Sequence, residues 1–166
     1  EMRSTGEVLG MADSFGLAFF KAEEAAQPPL PLEGTVLITV ADRDKSDVLA
    51  VARRFAELGF RIKATQGTHA LLIENGVVSE CILKMREGRP NIVDALVNGE
   101  IQLVINTPRG KIGQADDAYI RTTAIKRKVP YITTLAAAHA AAKGIAAYRA
   151  GRGQVKSLQA YHAGIR

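Results

Sequence analysis

Threonine, glycine and lysine recur where predicted strands give way to helices in this 166-residue chain. The clearest junction is the stretch RIKATQGTHA at 61–70, where Thr65, Gly67 and Thr68 follow an apolar strand just as a helix begins. The first turn of a helix carries unpaired N–H groups and a partial positive charge, which suit a phosphate or carboxylate. Glycine admits a close approach to the backbone, and threonine hydroxyls add donors. The junction therefore predicts a phosphate site, although the same residues also serve as plain helix caps.

Polar residues end the other predicted strands as well. Lys45 lies in the loop after the first strand, Lys84 ends the third, and Asn106 with Thr107 ends the fourth. In a parallel sheet ligands bind outside the carboxyl ends of the strands, near a switch in strand order. We therefore expect these residues to line one edge of the sheet, where the two lysines add positive charge.

Groups for acid–base or nucleophilic catalysis are sparse. None of the three histidines has a carboxylate partner by spacing, and His69 alone is placed near the predicted site. Four carboxylates also fall near it, Asp42, Asp44, Glu87 and Asp116. Isolated loop carboxylates are more often caps or surface charges than general bases, and no P-loop, dinucleotide-binding, zinc-protease or serine-hydrolase motif occurs. The sequence predicts no catalytic residue.

Short apolar runs alternate with helical patterns from Gly34 onward. The predicted strands are 35–40, 61–65, 79–85, 101–107 and 131–135, and the predicted helices in this region are 44–59, 67–76, 91–100, 116–129 and 136–151. Strands that alternate with helices indicate βαβ units with right-handed crossovers. The predicted fold class is a three-layer α/β fold, a five-stranded, mainly parallel sheet with helices on both faces.

The first 33 residues stand outside this repeat. Residues 14–27 predict a helix, and PPLPLEG is a stiff, proline-rich connector. We therefore divide the chain into 1–33, the end of a preceding unit, and 34–166, a compact domain. The tail 151–166 is compatible with either a short helix returning to the core or a loose end.

Composition limits the class of protein. With 47% hydrophobic and 23% charged residues, the chain can bury one core, and no apolar run approaches the roughly 18 residues of a membrane helix. The N-terminal residues do not indicate a secretory signal. The single cysteine, Cys81, is predicted to be a buried thiol, which leaves disulfides and metal clusters out and fits a reducing cytoplasm.

The formal net charge of +5 raises the question of nucleic-acid binding. The densest basic cluster, IKRKV at 125–129, ends a predicted helix, where cations meet the negative end of the helix dipole. The other basic residues are scattered, so a small anionic ligand or an acidic partner surface explains the charge better than a nucleic acid does.

Three longer stretches carry a family resemblance. ATQGTHALL, KMREGRPNIVDALVNGEIQLVINTPRGK and VPYITTLAAA closely resemble the C-terminal regulatory domain of the carbamoyl phosphate synthase large chain. The resemblance implies a methylglyoxal-synthase-like fold that performs no chemistry itself and binds nucleotide monophosphates such as UMP and IMP, with ornithine acting near its junction with the catalytic half in some members. It also implies that residues 1–33 come from that catalytic half.

The resemblance implies a role for each position that matches. Phosphate contacts fall on Lys45, Thr65, Gly67, Thr68 and Lys84. Nucleoside contacts fall on Thr39, Met85, Asn106, Thr107, Asp116, Tyr119 and Ile120. Met85 and Arg86 stand where the family usually has valine and histidine, and Pro108 replaces a hydroxyl found in some members. These departures leave the identity of the effector open.

For the whole protein, the resemblance implies a ligase that uses ATP with Mg or Mn, glutamine-derived ammonia from a small glutaminase chain, and bicarbonate, and that serves arginine and pyrimidine biosynthesis. For this chain it implies no cofactor, no metal and no catalysis. A methylglyoxal-synthase-type lyase acting on dihydroxyacetone phosphate is the alternative. That lyase needs an aspartate base in a GGD loop, where this chain has Arg89. A basic nucleic-acid module has only the net charge in its favour.

Overall fold

Thr35–Thr39 forms the central strand, β1, of a parallel sheet in the computed structural model, which describes residues 7–26, 28–108, 114–152 and 155–164. The other strands are β2 (Arg61–Ala64), β3 (Glu80–Cys81), β4 (Leu103–Asn106) and β5 (Tyr131–Ile132). The helices are α1 (Phe15–Ala26), α2 (Lys45–Glu57), α3 (Gln66–Glu74), α4 (Ile92–Val97), α5 (Gln114–Lys126), α6 (Leu135–Ala147) and α7 (Leu158–Ala163).

The strands are ordered β3-β2-β1-β4-β5, and every neighbouring pair is parallel. The chain leaves β1 toward β2 and β3 on one side and then returns to place β4 on the other side. The order therefore switches between β1 and β4, where open α/β sheets place their ligands. We call the edge formed by the carboxyl ends of the strands, with the loops that follow them, the rim.

Apolar residues on β1 alternate between two cores, because successive strand side chains point to opposite faces. Val36 and Ile38 pack with side chains of α1, α2, α3 and α6, whereas Leu37 packs with those of α4 and α5. The sheet is thus covered on both faces, and the predicted three-layer α/β fold is confirmed.

Helix α2 illustrates how the sequence pattern produces these layers. Its buried residues, Val48, Val51, Ala52 and Phe55, recur at helical spacing and form one apolar stripe. The chain then turns at Gly59, whose φ of 79° suits a glycine at the end of a helix.

The third strand differs from its prediction. The apolar run 79–85 suggested a full strand, but only Glu80–Cys81 pairs with β2, and Leu83 forms an isolated bridge with Asn91. The prediction that Cys81 is buried was wrong. Cys81 is exposed, because it lies on β3 at the edge of the sheet. The neighbouring Ile82 enters the core instead.

The fifth strand is also shorter than predicted. Only Tyr131–Ile132 is strand, because Thr134 already acts as the N-cap of α6 and accepts a hydrogen bond from the Ala137 amide at 3.2 Å. Helix α6 then runs to Ala147, and the chain kinks soon after it at Gly151, whose φ of 73° is not helical.

Helix α1 packs closely on α6. A Cβ built on Gly144 would lie 2.6 Å from the Gly16 carbonyl oxygen, so the two backbones touch, and the Phe20 ring stacks on Tyr148 with centroids 4.5 Å apart. Phe20 also belongs to the core that α2 and α6 share. The division at residue 34 stays a prediction.

The tail forms the short helix α7 and contacts the residues before α1. The Tyr161 hydroxyl donates to the Met11 carbonyl at 2.9 Å, and Lys156 pairs with Asp13 at 2.7 Å. The tail is therefore neither a helix packed into the core nor a loose end. Helix α7 buries no residue, but its segment is bonded to the residues before α1. In the part of the chain that the structure describes, no helix is both long and apolar enough to span a bilayer.

Candidate anion-binding site

Five polar side chains are buried at the rim, each with at most 6% of its surface exposed: Thr39, Thr65, Thr68, Asn106 and Thr107. Hydrogen bonds join the ends of three adjacent strands there. The Thr65 hydroxyl donates to the Thr39 hydroxyl at 3.1 Å, and the Thr107 amide donates to the Thr39 carbonyl at 3.1 Å. The predicted residues at these strand ends therefore lie together.

Two of these threonines accept hydrogen bonds from the loop after β1. The Thr107 hydroxyl accepts from the Ala41 amide at 2.8 Å, and the Thr68 hydroxyl accepts from the Val40 amide at 3.5 Å. Neither hydroxyl donates to an acceptor among the described residues. Since each hydroxyl keeps its own proton, both can donate to a ligand.

The first turn of α3 offers further donors. Thr65 is its N-cap but its side chain makes no capping bond, so the caps-only interpretation does not account for its hydroxyl. The Thr65 carbonyl accepts from the amides of Thr68 and His69 at 2.9 and 2.8 Å. The amides of Gln66 and Gly67 have no acceptor within the described ranges. They are the orphan donors that helix geometry predicts.

Lys45 stands over this turn. Its Nζ would be the nearest neighbour of a Cβ at Gly67, at 3.8 Å, so the space beside Gly67 is open and faces an ammonium group. Gly67 does not have a positive φ, so a glycine is not required there by the backbone conformation. What the missing side chain provides is open access to the backbone. Lys45 pairs with Asp42 at 2.7 Å, and the Asp42 side chain is 85% exposed. Because exposed ion pairs are weak, an anion at the turn can compete with Asp42 for the lysine.

Lys84 begins the turn after β3. Its backbone amide donates to the Glu87 carboxylate at 2.9 Å, and the Glu87 amide donates back to the Lys84 carbonyl at 3.0 Å. Its side-chain ammonium has no partner among the residues that the structure describes. Lys84 and Met85 are both half-buried.

The end of β4 holds a polar cluster that includes two residues the sequence did not single out, Asp117 and Tyr131. The Asn106 amide nitrogen donates to Asp117 Oδ1 at 3.0 Å and to the Tyr131 hydroxyl at 2.6 Å. Burial is the main cause that raises the pKa of Tyr131, and the nearby Asp117 carboxylate adds to it, while the hydrogen bond from Asn106 lowers it by less. The doubled aspartate after a strand-ending asparagine was the available signal, whereas nothing in the sequence pointed to Tyr131.

The remaining predicted nucleoside contacts are spread out. Asp116 pairs with Arg86 at 3.3 Å, which bridges α5 to the loop after β3. The Tyr119 side chain is about half exposed, but Ile120 is buried in the core beneath α5. Ligand contact by these residues stays a prediction. The Ile120 side chain packs in the hydrophobic core. Residues 109–113, which follow Pro108, lie outside the part of the chain that the structure describes.

The other polar residues near the rim have structural partners. Asp44 pairs with Arg43 at 3.6 Å, and the His69 Nδ1 lies 2.9 Å from the Ser79 hydroxyl. Asp94, the first carboxylate after the REGRPN loop, accepts from the Asn91 amide at 3.0 Å and pairs with Arg89 at 3.0 Å. It is thus committed to the start of α4 rather than placed as a base.

No group of three or more histidine, cysteine, aspartate or glutamate side chains in the described ranges is arranged to hold a metal ion. The first turn of α3, with the Lys45 ammonium beside it, presents positive charge and unpaired donors. Such a surface can bind an oxyanion through hydrogen bonds and charge.

Comparison with known proteins identifies relatives of the chain. A carbamoyl phosphate synthase large chain from Archaeoglobus fulgidus is 53% identical over 163 residues, which are 98% of this chain and 15% of the relative. One from Gemmatimonas aurantiaca is 51% identical over 162 residues, with the same coverage. The C-terminal section of the large chain from Aquifex aeolicus is 47% identical over 97% of this chain and 30% of the relative. The chain thus spans about 15% of the length of the full large chains it matches.

The fold has a solved counterpart in the crystal structure of ForH, with a TM-score of 0.51 at 18% identity, over 74% of this chain and 83% of that one. The family model described as "MGS-like domain" matches residues 47–133. With just over half of its residues matched by that model, the chain belongs to the MGS-like domain family.

Proposed function

We propose that this chain is the allosteric, effector-binding domain of a carbamoyl phosphate synthase large chain. Its rim site binds the phosphate of a nucleotide monophosphate of the UMP or IMP type. The synthase reaction, with its ATP and its Mg or Mn, belongs to the catalytic half of the same large chain and to a small glutaminase chain. Through them the domain controls carbamoyl phosphate supply for arginine and pyrimidine synthesis in the cytoplasm, and ornithine acts near the junction with the catalytic half.

One observation carries the proposal. The hydroxyl protons of Thr68 and Thr107 and the amides of Gln66 and Gly67 find no acceptor in the described structure, and Lys45 stands over the same turn. A site in which donors outnumber acceptors suits a ligand that only accepts, and a phosphate dianion does. The high identity to large chains of carbamoyl phosphate synthase supports the assignment to that protein.

Effector binding would act on the loops that the site joins. A phosphate on the first turn of α3 draws Lys45, at the start of α2, away from Asp42. Contacts to Thr107 involve the β4 end, which already holds the loop after β1 through the Ala41 amide. A regulatory effect then equals the difference in effector affinity between two states of the whole enzyme, about 1–3 kcal/mol in allosteric proteins.

A thermal-shift experiment on the chain tests the proposal. UMP, IMP and inorganic phosphate are compared with uridine, which lacks the phosphate. A ligand that binds only the folded state raises its apparent stability, by about 2.7 kcal/mol at 100 times its Kd. We expect UMP or IMP and, more weakly, phosphate to raise Tm, and uridine to leave it unchanged. Equal shifts with uridine and UMP, or no shift with any phosphorylated compound, would contradict the proposal.

A further inference from the structure

The side-chain amide of Asn106 is held in one orientation. Both hydrogens of its nitrogen are used, one by Asp117 Oδ1 at 3.0 Å and one by the Tyr131 hydroxyl at 2.6 Å. A carboxylate can only accept hydrogen bonds, so the group of Asn106 that faces Asp117 must be the nitrogen. If the amide were rotated by half a turn, its oxygen would face the Asp117 carboxylate.

Asp117 strengthens this constraint because Asn106 supplies its one hydrogen bond among the described residues. Its second oxygen, Oδ2, is fully buried and has no partner. Rotating Asn106 would therefore leave a half-buried carboxylate without any donor, which costs more than losing a neutral hydrogen bond. The rotated orientation of the Asn106 amide is thus less populated than the observed one by roughly ten- to a hundredfold.

The amide oxygen of Asn106 is consequently the group left for a ligand. It accepts no hydrogen bond from a described residue. The fully buried side-chain polar atoms without a partner are Thr35 Oγ1 and Asp117 Oδ2 in the part of the chain that the structure describes. Since Asn106 Oδ1 also lacks a partner but is not among them, it keeps some access to solvent.

The distance across the sheet matches a nucleoside. The proposed phosphate turn follows β2, and Asn106 ends β4, with β1 between them. Adjacent strands lie about 4.8 Å apart, so these two points are separated by about 10 Å. A phosphate bound at the first point can thus place its sugar or base near the second.

We propose that Asp117 is a positioning residue that fixes Asn106 as a hydrogen-bond acceptor, and that Tyr131, whose hydroxyl can donate or accept, holds the amide in place without selecting its orientation. The site therefore selects phosphorylated ligands whose nucleoside part presents a donor, either a ribose hydroxyl or an imide N–H. The inference rests on the proposed function, and it adds the chemical feature by which the site discriminates among nucleotides. Asp117 and Tyr131 need not touch the ligand themselves.

Calorimetry with matched nucleotides tests this inference on the whole chain. UMP is compared with 2′,3′-dideoxyuridine monophosphate, which lacks both ribose hydroxyls, and with N3-methyluridine monophosphate, which lacks the imide N–H. One neutral hydrogen bond is worth about a two- to tenfold change in Kd. We expect one of the two analogues to bind more weakly than UMP by that factor, which also identifies the donor.

The variant Asp117→Asn then separates positioning from general support. An asparagine at 117 can donate to a rotated Asn106, so the difference between UMP and the weaker analogue should shrink to less than about twofold. Tyr131→Phe removes one of the two partners and should reduce the difference by less. The matched controls are Asp13→Asn and Tyr161→Phe. Asp13 pairs with Lys156, and Tyr161 bonds to the Met11 carbonyl, both away from the rim. These two variants should keep the full difference between UMP and the weaker analogue.

Inorganic phosphate serves as the check on folding, since its Kd should stay within twofold in all variants. If UMP binds but neither analogue is discriminated, or if Asp117→Asn keeps the full difference, the inference is wrong while the proposed function stands. If the parent chain binds none of UMP, IMP and phosphate, the proposed function fails and the inference with it.

Discussion

Lys84 is a half-buried residue at the start of the turn after β3, and its ammonium group has no partner among the described residues. If it contacts the effector phosphate, replacing it with alanine removes a charge-assisted hydrogen bond of roughly 1.5–3 kcal/mol. We expect Lys84→Ala to weaken UMP binding about ten- to a hundredfold by calorimetry. The control Lys126→Ala removes a lysine from the far end of α5 and should bind like the parent. Parent-like affinity in Lys84→Ala would remove this residue from the site.

Tyr131 provides a second test on a single residue, through the dependence of stability on pH. Burial raises the pKa of its phenol in the folded state above the usual value near 10. The neutral form is therefore favoured by folding, and this contribution is fully present below about pH 10 and is lost as pH rises through the folded pKa. Thermal unfolding of the parent should show an extra loss of stability above pH 10 that Tyr131→Phe lacks. The control Tyr161→Phe keeps Tyr131 and should retain that loss, and identical pH profiles for parent and Tyr131→Phe would contradict the assignment.

At the scale of elements, α4 depends on its first residue. The buried Asn91 side chain accepts from the amides of Val93 and Asp94, and Asp94 accepts from the Asn91 amide, which together form a capping box. Asn91→Ala should lower the free energy of unfolding by about 1–2 kcal/mol in urea denaturation. Asn98→Ala, at the exposed end of the same helix, should change it by less than about 0.5 kcal/mol. A loss of similar size in both variants would show that the cap is not the cause.

The contact between α1 and α6 gives a second test at this scale. In Gly144→Ala the new Cβ would lie 2.6 Å from the Gly16 carbonyl oxygen, so the helices must separate. Overpacking costs about 1–3 kcal/mol and should outweigh the gain of about 1 kcal/mol in helix propensity. Hydrogen exchange should then show faster exchange in α1 of this variant. Lys143→Ala adds no atom at the contact and should leave α1 protected, whereas unchanged protection in Gly144→Ala would show that α1 does not depend on this contact.

The sequence predicted the order of elements well because β1, β2 and α2 follow strong local patterns. It failed at β3 because an apolar run does not show which strand will lie at the edge, and an edge strand pairs on one side only. The wrong prediction that Cys81 is buried followed from that error, because Cys81 lies on the edge strand. At the site, strand-end residues could be identified because parallel strands end together. The contacts of Asn106 with Asp117 and Tyr131 could not, because they join residues 11 and 25 positions apart that only folding brings together.

At the scale of the whole molecule, the chain corresponds to a small part of its full-length relatives, about 15% of their length. The proposed role assigns ATP-dependent chemistry to other parts of the large chain. We therefore expect the purified 166-residue chain to form no carbamoyl phosphate from ATP, bicarbonate and glutamine or ammonia. A coupled assay that traps carbamoyl phosphate measures this directly, with a full-length large chain from a relative as the positive control. Formation of product by this chain would overturn the division of roles.

The proposed function requires a phosphate on the first turn of α3, and backbone amide NMR shifts can detect it at that position. Titration with UMP, against sodium chloride at equal ionic strength, should move the amide resonances of Gln66 and Gly67 the most and in a saturable manner. The same titration with uridine should leave those two resonances in place. If UMP saturates a set of resonances elsewhere while Gln66 and Gly67 stay unmoved, the account of this site is wrong.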